Sequence, residues 1–328
     1  MVVPAVPHRF ALRGCRHRGG SARGGGSAGE ARGRHRGGHQ GIGFEVTRAL
    51  AGAGAEVLVG ARSPERAAAK VAGIAGVEVD RLDLVDPGSV DAFTGRRLAD
   101  GRPLDVLVNC AAVAPPAERT LDAHGHEIQF ATSHLGPFRL TLGLLPLLRA
   151  ARGARVVNVS SGAQRMGAIR WDDPGFTAGY HPGAAYAQVK RANVLFAVEL
   201  DRRWAAGGLR GYAVHPGVVI GTNLNNRPED REAYRSQGLL DEEGRPVIDP
   251  EVGKKTPAQG AATVVFAAVS PLLDGIGGVY LKDCEVSVVD GAGRPLTADS
   301  IPAEVHPDSI DPEAARRLWE LTEELLAG

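Results

Sequence analysis

From residue 55 onward, short apolar runs that read as strands alternate with longer stretches of helical periodicity. The strand runs fall at 55–60, 77–80, 104–109, 154–159, 209–214 and 277–281. Between and beyond them, helical patterns fall at 64–72, 87–98, about 136–150, 184–206 and 256–269, and a final helix opens at Asp311-Pro312 with Leu318, Leu321 and Leu325 on one face. Strands joined by helices must run parallel, because a crossover long enough to hold a helix returns the chain to the same end of the sheet. This alternation predicts a Rossmann-type doubly wound parallel sheet in a single α/β domain. Asn223 to Val252 interrupts it with a polar stretch broken by Pro228 and Pro246, and a segment of about 221–252 is the place for a substrate cover.

Such a sheet binds ligands at a glycine-rich turn that leaves a central strand and opens a helix. Gly37-Gly38-His39-Gln40-Gly41-Ile42-Gly43 precedes a helical pattern over 44–53 and fits that turn. The strand that should lead into it is missing: Glu30-Ala-Arg-Gly-Arg-His-Arg36 cannot be a buried strand. Residues 1–36 hold eight arginines, eight glycines and one acidic residue, Glu30, so they carry +7 against −7 for the remainder. Three readings compete for them. An organellar transit peptide is Arg-rich and acid-poor, but this much Gly spoils the amphipathic helix it needs. Arg18-Gly19-Gly20 and Arg36-Gly37-Gly38 resemble disordered RNA-binding segments. The third is an out-of-frame or misassigned start. Shifted forward by one nucleotide, codons for Arg34-His35-Arg36-Gly37 can spell Val-Thr-Gly, the end of a first strand, and 33 Arg against 5 Lys suits a GC-rich genome. The domain expectation is therefore an Arg/Gly-rich disordered or misassigned start at 1–36, with the catalytic fold at 37–328.

With 328 residues, 43% apolar and 23% charged at zero net charge, the chain can bury a large core. That excludes a disordered chain and a strongly basic nucleic-acid binder, so no nucleic-acid partner is expected. No apolar run reaches the roughly 18 residues of a membrane span. Cys15, Cys110 and Cys284 are scattered, which argues against a disulfide framework or zinc site and suits a cytoplasmic location.

Tyr186-Ala-Gln-Val-Lys190 sets a phenol and an ammonium one helical turn apart on one face. A nearby cation favours phenolate and is expected to draw the tyrosine pKa down from about 10, which suits acid–base exchange with a carbonyl–alcohol pair. By itself the spacing is common and describes many solvated pairs. Ser160-Ser161 closes a predicted strand at the sheet's ligand-binding edge, where a hydroxyl can meet a substrate oxygen or simply cap a turn.

Taken in order, Gly37/Gly41/Gly43, Leu82-Asp83, Asn109-Cys-Ala-Ala112, Ser161, Tyr186/Lys190 and His215-Pro216-Gly217 resemble the short-chain dehydrogenase/reductase family. The stretches Gln129 to Gly136, Val157 to Ser161, Ala192 to Phe196 and Gly278 to Leu281 are similar to its retinol-dehydrogenase-like branch. The likeness runs over about 37–327. It implies an oxidoreductase that passes hydride between a nicotinamide and a carbonyl or alcohol, here a lipophilic one. Tyr186 would then give the proton, Lys190 would hold the nicotinamide ribose, and Ser161 would orient the carbonyl. Gly37, Gly41, Ile42 and Gly43 would cradle the pyrophosphate. Asp83 and Leu84 would meet the adenine, Asn109 and Ala111 would line the cleft, and Pro216, Gly217, Val219 and Thr222 would cover the carboxamide. In the family a basic residue after the second strand reads the NADP 2′-phosphate. Arg62 stands there, so NADP(H) is favoured over NAD(H).

The pattern departs at several points. Arg36 replaces the family's Thr before the first glycine, Ala112 replaces a glycine, and Ser133 replaces the helix Asn that supports the proton relay, without its amide. His39 is large for a glycine loop, and His124 and His126 lack the partners of a metal site. These departures keep open a catalytically weak or inactive cofactor-binding scaffold. The resemblance is also compatible with a homo-oligomer.

Overall fold

The computed structural model describes residues 2–3, 41–222, 224, 230–295, 297 and 299–327. In chain order the strands are β1 (Val2–Val3), β2 (Val57–Ala61), β3 (Val77–Arg81), β4 (Val106–Asn109), β5 (Arg155–Val159), β6 (Arg210–His215), β7 (Val279–Lys282) and β8 (Glu285–Val286). The helices are α1 (Ile42–Gly52), α2 (Pro64–Val71), α3 (Pro87–Asp100), α4 (Ile128–Phe130), α5 (Gly136–Gly143), α6 (Leu145–Ala150), α7 (Pro182–Trp204), α8 (Arg231–Ser236), α9 (Pro257–Val269) and α10 (Pro312–Ala327).

The strands form one sheet in the order β3-β2-β1-β4-β5-β6-β7-β8. β2 pairs in parallel with β3, and β4, β5, β6 and β7 pair in parallel in turn. β4 and β5 carry valines and a leucine at six of their nine positions and are buried on both faces, as parallel strands under helices must be. On one face Val46 and Leu50 of α1 and Val264 and Ala267 of α9 pack on Val57, Val106, Val108 and Val157. On the other, Phe93, Phe138, Phe196 and Leu200 pack on Leu58, Leu107 and Val156, with Trp319 of α10 closing the cluster. Helices on both faces make the sheet doubly wound.

Two strands break the all-parallel expectation. β8 is a short antiparallel edge strand against β7. β1 sits in the central place, where the strand before the glycine turn was expected. It runs antiparallel to both neighbours, Val2 opposite Leu58 and Leu107, and Val3 opposite Val106. Residues 4–40 lie outside the described residues, and with them Arg36, Gly37, His39 and Gln40. The helix expected over about 136–150 is broken in two, because Pro146 in the first turn of α6 has no N–H to continue α5. A five-residue π-helical turn, Ala131–Leu135, precedes it and joins α4 to α5. In α10 the buried stripe is Ala315, Leu318, Trp319 and Thr322, so the helix docks on the body as expected, while Leu321 and Leu325 are half-buried.

Candidate active site

The candidate residues gather at the ends of the strands, where each chain leaves the sheet. Arg62 directly follows β2 and is exposed. Among the described residues its guanidinium has no ion-pair or hydrogen-bond partner. Its carbonyl accepts a bond from Arg81 at the end of β3 (3.5 Å), which brings a second guanidinium beside it. Asp83 follows β3; its carboxylate accepts the Val85 amide, and its own amide donates to Ser89 (2.9 Å). Leu84 lies under α5 at a close approach that only glycine permits: a Cβ on Gly136 would collide with the Leu84 carbonyl.

α1 begins at Ile42 with Gly41 as its N-cap and no side-chain cap, which leaves its positive dipole end open to an anion, while the Gly43 amide donates to the Cys110 sulfur. Beneath it, a Cβ on Gly43 would touch the Cys110 sulfur at 3.6 Å. Burial pushes the Cys110 thiol up, which leaves it a neutral, compact floor. Asn109, at the end of β4, donates to Asn158 of β5 (2.8 Å) and Thr141 of α5 (3.3 Å). Its amide thus ties two strands and a helix together, and Ala111 follows on the loop beyond.

His181 caps α7 by accepting the Ala184 amide, and Pro182 fits the first turn. α7 is buried along most of its length, so Tyr186 and Lys190 are fixed by packing. The Lys190 ammonium lies 5.4 Å from the Tyr186 ring centre and donates to the Val159 carbonyl (3.1 Å). Lys190 is only 4% exposed, and burial pulls its pKa down to about 8, opposed only by Cys110. Two of its three N–H donors have no partner among the described residues.

Ser161 lies beside Tyr186 and favours its ionisation, but loss of solvent outweighs this and pushes the phenol above the usual value. The pKa lowering expected from Lys190 is therefore absent here: desolvation of a buried phenolate outweighs a cation that is itself partly desolvated. Ser161 is the N-cap of a short 3₁₀ turn, Gly162–Arg165, and its hydroxyl accepts the Ala163 amide (3.2 Å). Ser160 points away and donates to the Lys190 carbonyl (2.7 Å). Ser133 is buried within the π-helical turn, and among the described residues no hydrogen bond joins it to Tyr186 or Lys190.

Beyond β6, Pro216 and Gly217 turn the chain, with Gly217 at φ +86° and pressed on Lys255 and the Gly253 carbonyl. A Cβ on Gly260 would meet Val219, the Pro216 carbonyl and Ile42, so this turn, α9 and the start of α1 converge. Thr222 follows, half-buried. Over the same edge, α8 and Leu239-Leu240 pack Tyr234 and the two leucines on Val218, Ile220 and Ile301 to form an apolar cover.

One hub was not foreseen. Gln164 is fully buried; its amide donates to the Glu304 carbonyl (2.8 Å) and accepts from the His306 amide (3.2 Å) and the Ser309 hydroxyl (2.6 Å). Through it the chain before α10 is clamped against the serine turn. A lone Gln in a polar turn carries no sequence signal for this.

The family model described as short chain dehydrogenase matches residues 36–233. The chain belongs to the short-chain dehydrogenase/reductase family. It is 44% identical to a "Probable oxidoreductase" of Streptomyces lividans, over 87% of this chain and 93% of that one. It is 35% identical to "Retinol dehydrogenase 12" of Mus musculus, over 88% of this chain and 84% of that one. Among solved structures it resembles an uncharacterised protein from Mycobacterium paratuberculosis, with TM-score 0.64, 31% identity and coverage of 89% and 91%. This short-chain enzyme is therefore an oxidoreductase that uses a nicotinamide cofactor and a small-molecule substrate, with retinol-dehydrogenase-like relatives. Among the described residues no helix is long and apolar enough to cross a membrane, and no cluster of His, Cys, Asp and Glu could hold a metal.

Proposed function

We propose that the protein is an NADP(H)-preferring reductase or dehydrogenase of lipophilic carbonyls and alcohols, acting in the cytoplasm, with residues 37–328 as its catalytic domain. The observation that carries this reading is the half-buried Tyr186 beside Ser161, with the buried Lys190 one helical turn away. The site fits a nicotinamide nucleotide: a buried ammonium with two uncommitted donors suits ribose hydroxyls, and an uncapped helix start suits a pyrophosphate. When bound, the nicotinamide supplies or takes up the hydride. In reduction Tyr186 Oη gives its proton to the carbonyl oxygen, and its raised pKa keeps that proton in place at neutral pH. Ser161 Oγ orients the same oxygen. Lys190, mostly charged at neutral pH, would hold the ribose and ease proton loss from Tyr186. The start of α1 at Ile42 would hold the pyrophosphate, and Pro216 to Thr222 would cover the carboxamide.

The preference for NADP(H) rests on Arg62, a guanidinium without a carboxylate partner at the end of β2, with Arg81 beside it. The lipophilic substrate rests on the apolar cover of Tyr234, Leu239 and Leu240 and on the retinol-dehydrogenase-like relatives. The test is a panel of aliphatic aldehydes, retinaldehyde and ketones with NADPH and with NADH. Turnover with NADPH and a long-chain aldehyde supports the reading. Binding of NADPH with no reduction of any carbonyl would make the protein a cofactor-binding scaffold.

A further inference from the structure

The serine turn is held from β6 as well as from Gln164. The Gly162 backbone N–H, directly after Ser161, donates to His215 Nδ1 at 3.1 Å. His215 ends β6, is 4% exposed, and precedes Pro216. With Nδ1 as acceptor, the ring carries its hydrogen on Nε2. On the other side of Gly162 lie Ala303 and Pro302, at 3.2 and 3.3 Å from the position of a Cβ. Gly162 thus sits between the imidazole and the chain before α10, and Ser161 has little freedom to shift.

We infer that His215 is a positioning residue for the reaction: through the Gly162 amide it sets where the Ser161 hydroxyl meets Tyr186. Without that acceptor a half-buried backbone N–H loses its partner, and the turn relieves it by moving. Ser161 Oγ already caps the Ala163 amide, so any shift of the turn carries the hydroxyl with it. The groups facing the imidazole are Lys255, which pairs with Asp283, and Lys282, which pairs with Glu304. Burial, helped by the two lysines, brings His215 down to about 3, so the acceptor nitrogen stays unprotonated through the working range. The inference rests on the proposed role of Ser161, and the test separates the two.

Two polar replacements distinguish the nitrogens. In His215→Asn the side-chain oxygen reaches the place of Nδ1 and can accept from Gly162. In His215→Gln it reaches one bond farther, to the place of Nε2. With nonanal and NADPH, His215→Asn should keep kcat within a few-fold of wild type. His215→Gln should lose about 10- to 100-fold in kcat, the scale of a misplacement near one ångström, with NADPH Kd unchanged. In a Ser161→Ala background, His215→Gln should cause no further loss, because the residue it positions is gone. Equal rates for the Asn and Gln variants, or a Gln effect that multiplies with Ser161→Ala, would overturn the inference. If Ser161→Ala alone retains wild-type kcat, the proposed role of the serine falls first.

Discussion

Replacing Lys190 by Met should make the cofactor-free protein more stable while removing its activity. The fold strips water from a charged ammonium and returns one bond, to Val159. A fall in pKa from 10.5 to about 8 corresponds to about 3 kcal/mol of strain on the charged form. The sign follows from linkage. The folded pKa lies below the unfolded one, so the full penalty acts below about pH 8, where both states are protonated. It fades as pH rises from about 8 to 10.5 and is gone above that, where both states are neutral. Methionine fills a similar volume without a charge. The Val159 carbonyl keeps its bond from Asn193 (3.2 Å), so the lost hydrogen bond costs about 1 kcal/mol. The net gain at pH 7 is then about 2 kcal/mol, or roughly 3 °C in Tm for a domain of this size. Urea unfolding of both proteins at pH 7 and pH 10.5 reads the difference, which should shrink at the higher pH. Saturating NADPH should reverse the order at pH 7, since only the wild type gains the ribose contacts. A Met variant less stable than wild type at pH 7, or a difference independent of pH, would refute the reasoning.

Arg62→Asp should lower the NADPH-to-NADH ratio of kcat/KM by about 10- to 100-fold, the worth of a charge-assisted bond; an unchanged ratio removes Arg62 from the cofactor site. Because burial raises the Tyr186 pKa, kcat for aldehyde reduction should be flat from pH 6 to 8 and fall only where the phenol titrates in strong alkali, while alcohol oxidation should climb with pH. Pre-steady-state rates in both directions check this, and reduction that rises between pH 6 and 8 would contradict it. Gly136→Ala drives a Cβ into the Leu84 carbonyl and should cost about 1–3 kcal/mol. It should also raise KM for the cofactor by displacing the Asp83 loop; a melting curve and cofactor KM equal to wild type would refute the contact.

The repeated strand–helix alternation was legible because period and punctuation agree at each element: Pro64, Pro87, Pro182 and Pro257 all stand in the first turn of a helix. The break at Pro146 was legible in principle and missed, since Leu-rich flanks on both sides continue the apolar pattern across it. The π-helical turn has no signature in a single sequence, nor does the antiparallel pairing of Val2–Val3, which depends on strands over fifty residues away. At the site, the spacing of Tyr186 and Lys190 named the pair, but not the sign of the tyrosine shift. That sign is set by burial of α7, which residue spacing does not encode. Asn109 was expected to line the cleft, and spacing gave no sign that its amide also ties β4 to Asn158 and Thr141. Gln164 and His215 act through backbone groups of distant segments, so their roles appear only once the chain is folded.

The central claim is that Tyr186 Oη moves the proton. Tyr186→Phe removes one oxygen from a half-buried ring and leaves Lys190 and the start of α1 in place. The decisive measurement is a single turnover of nonanal by the NADPH-loaded variant, beside NADPH Kd. The account predicts a loss of at least about 100-fold in the hydride-transfer rate, with Kd for NADPH within a few-fold of wild type. A variant that reduces the aldehyde at the wild-type rate would contradict it.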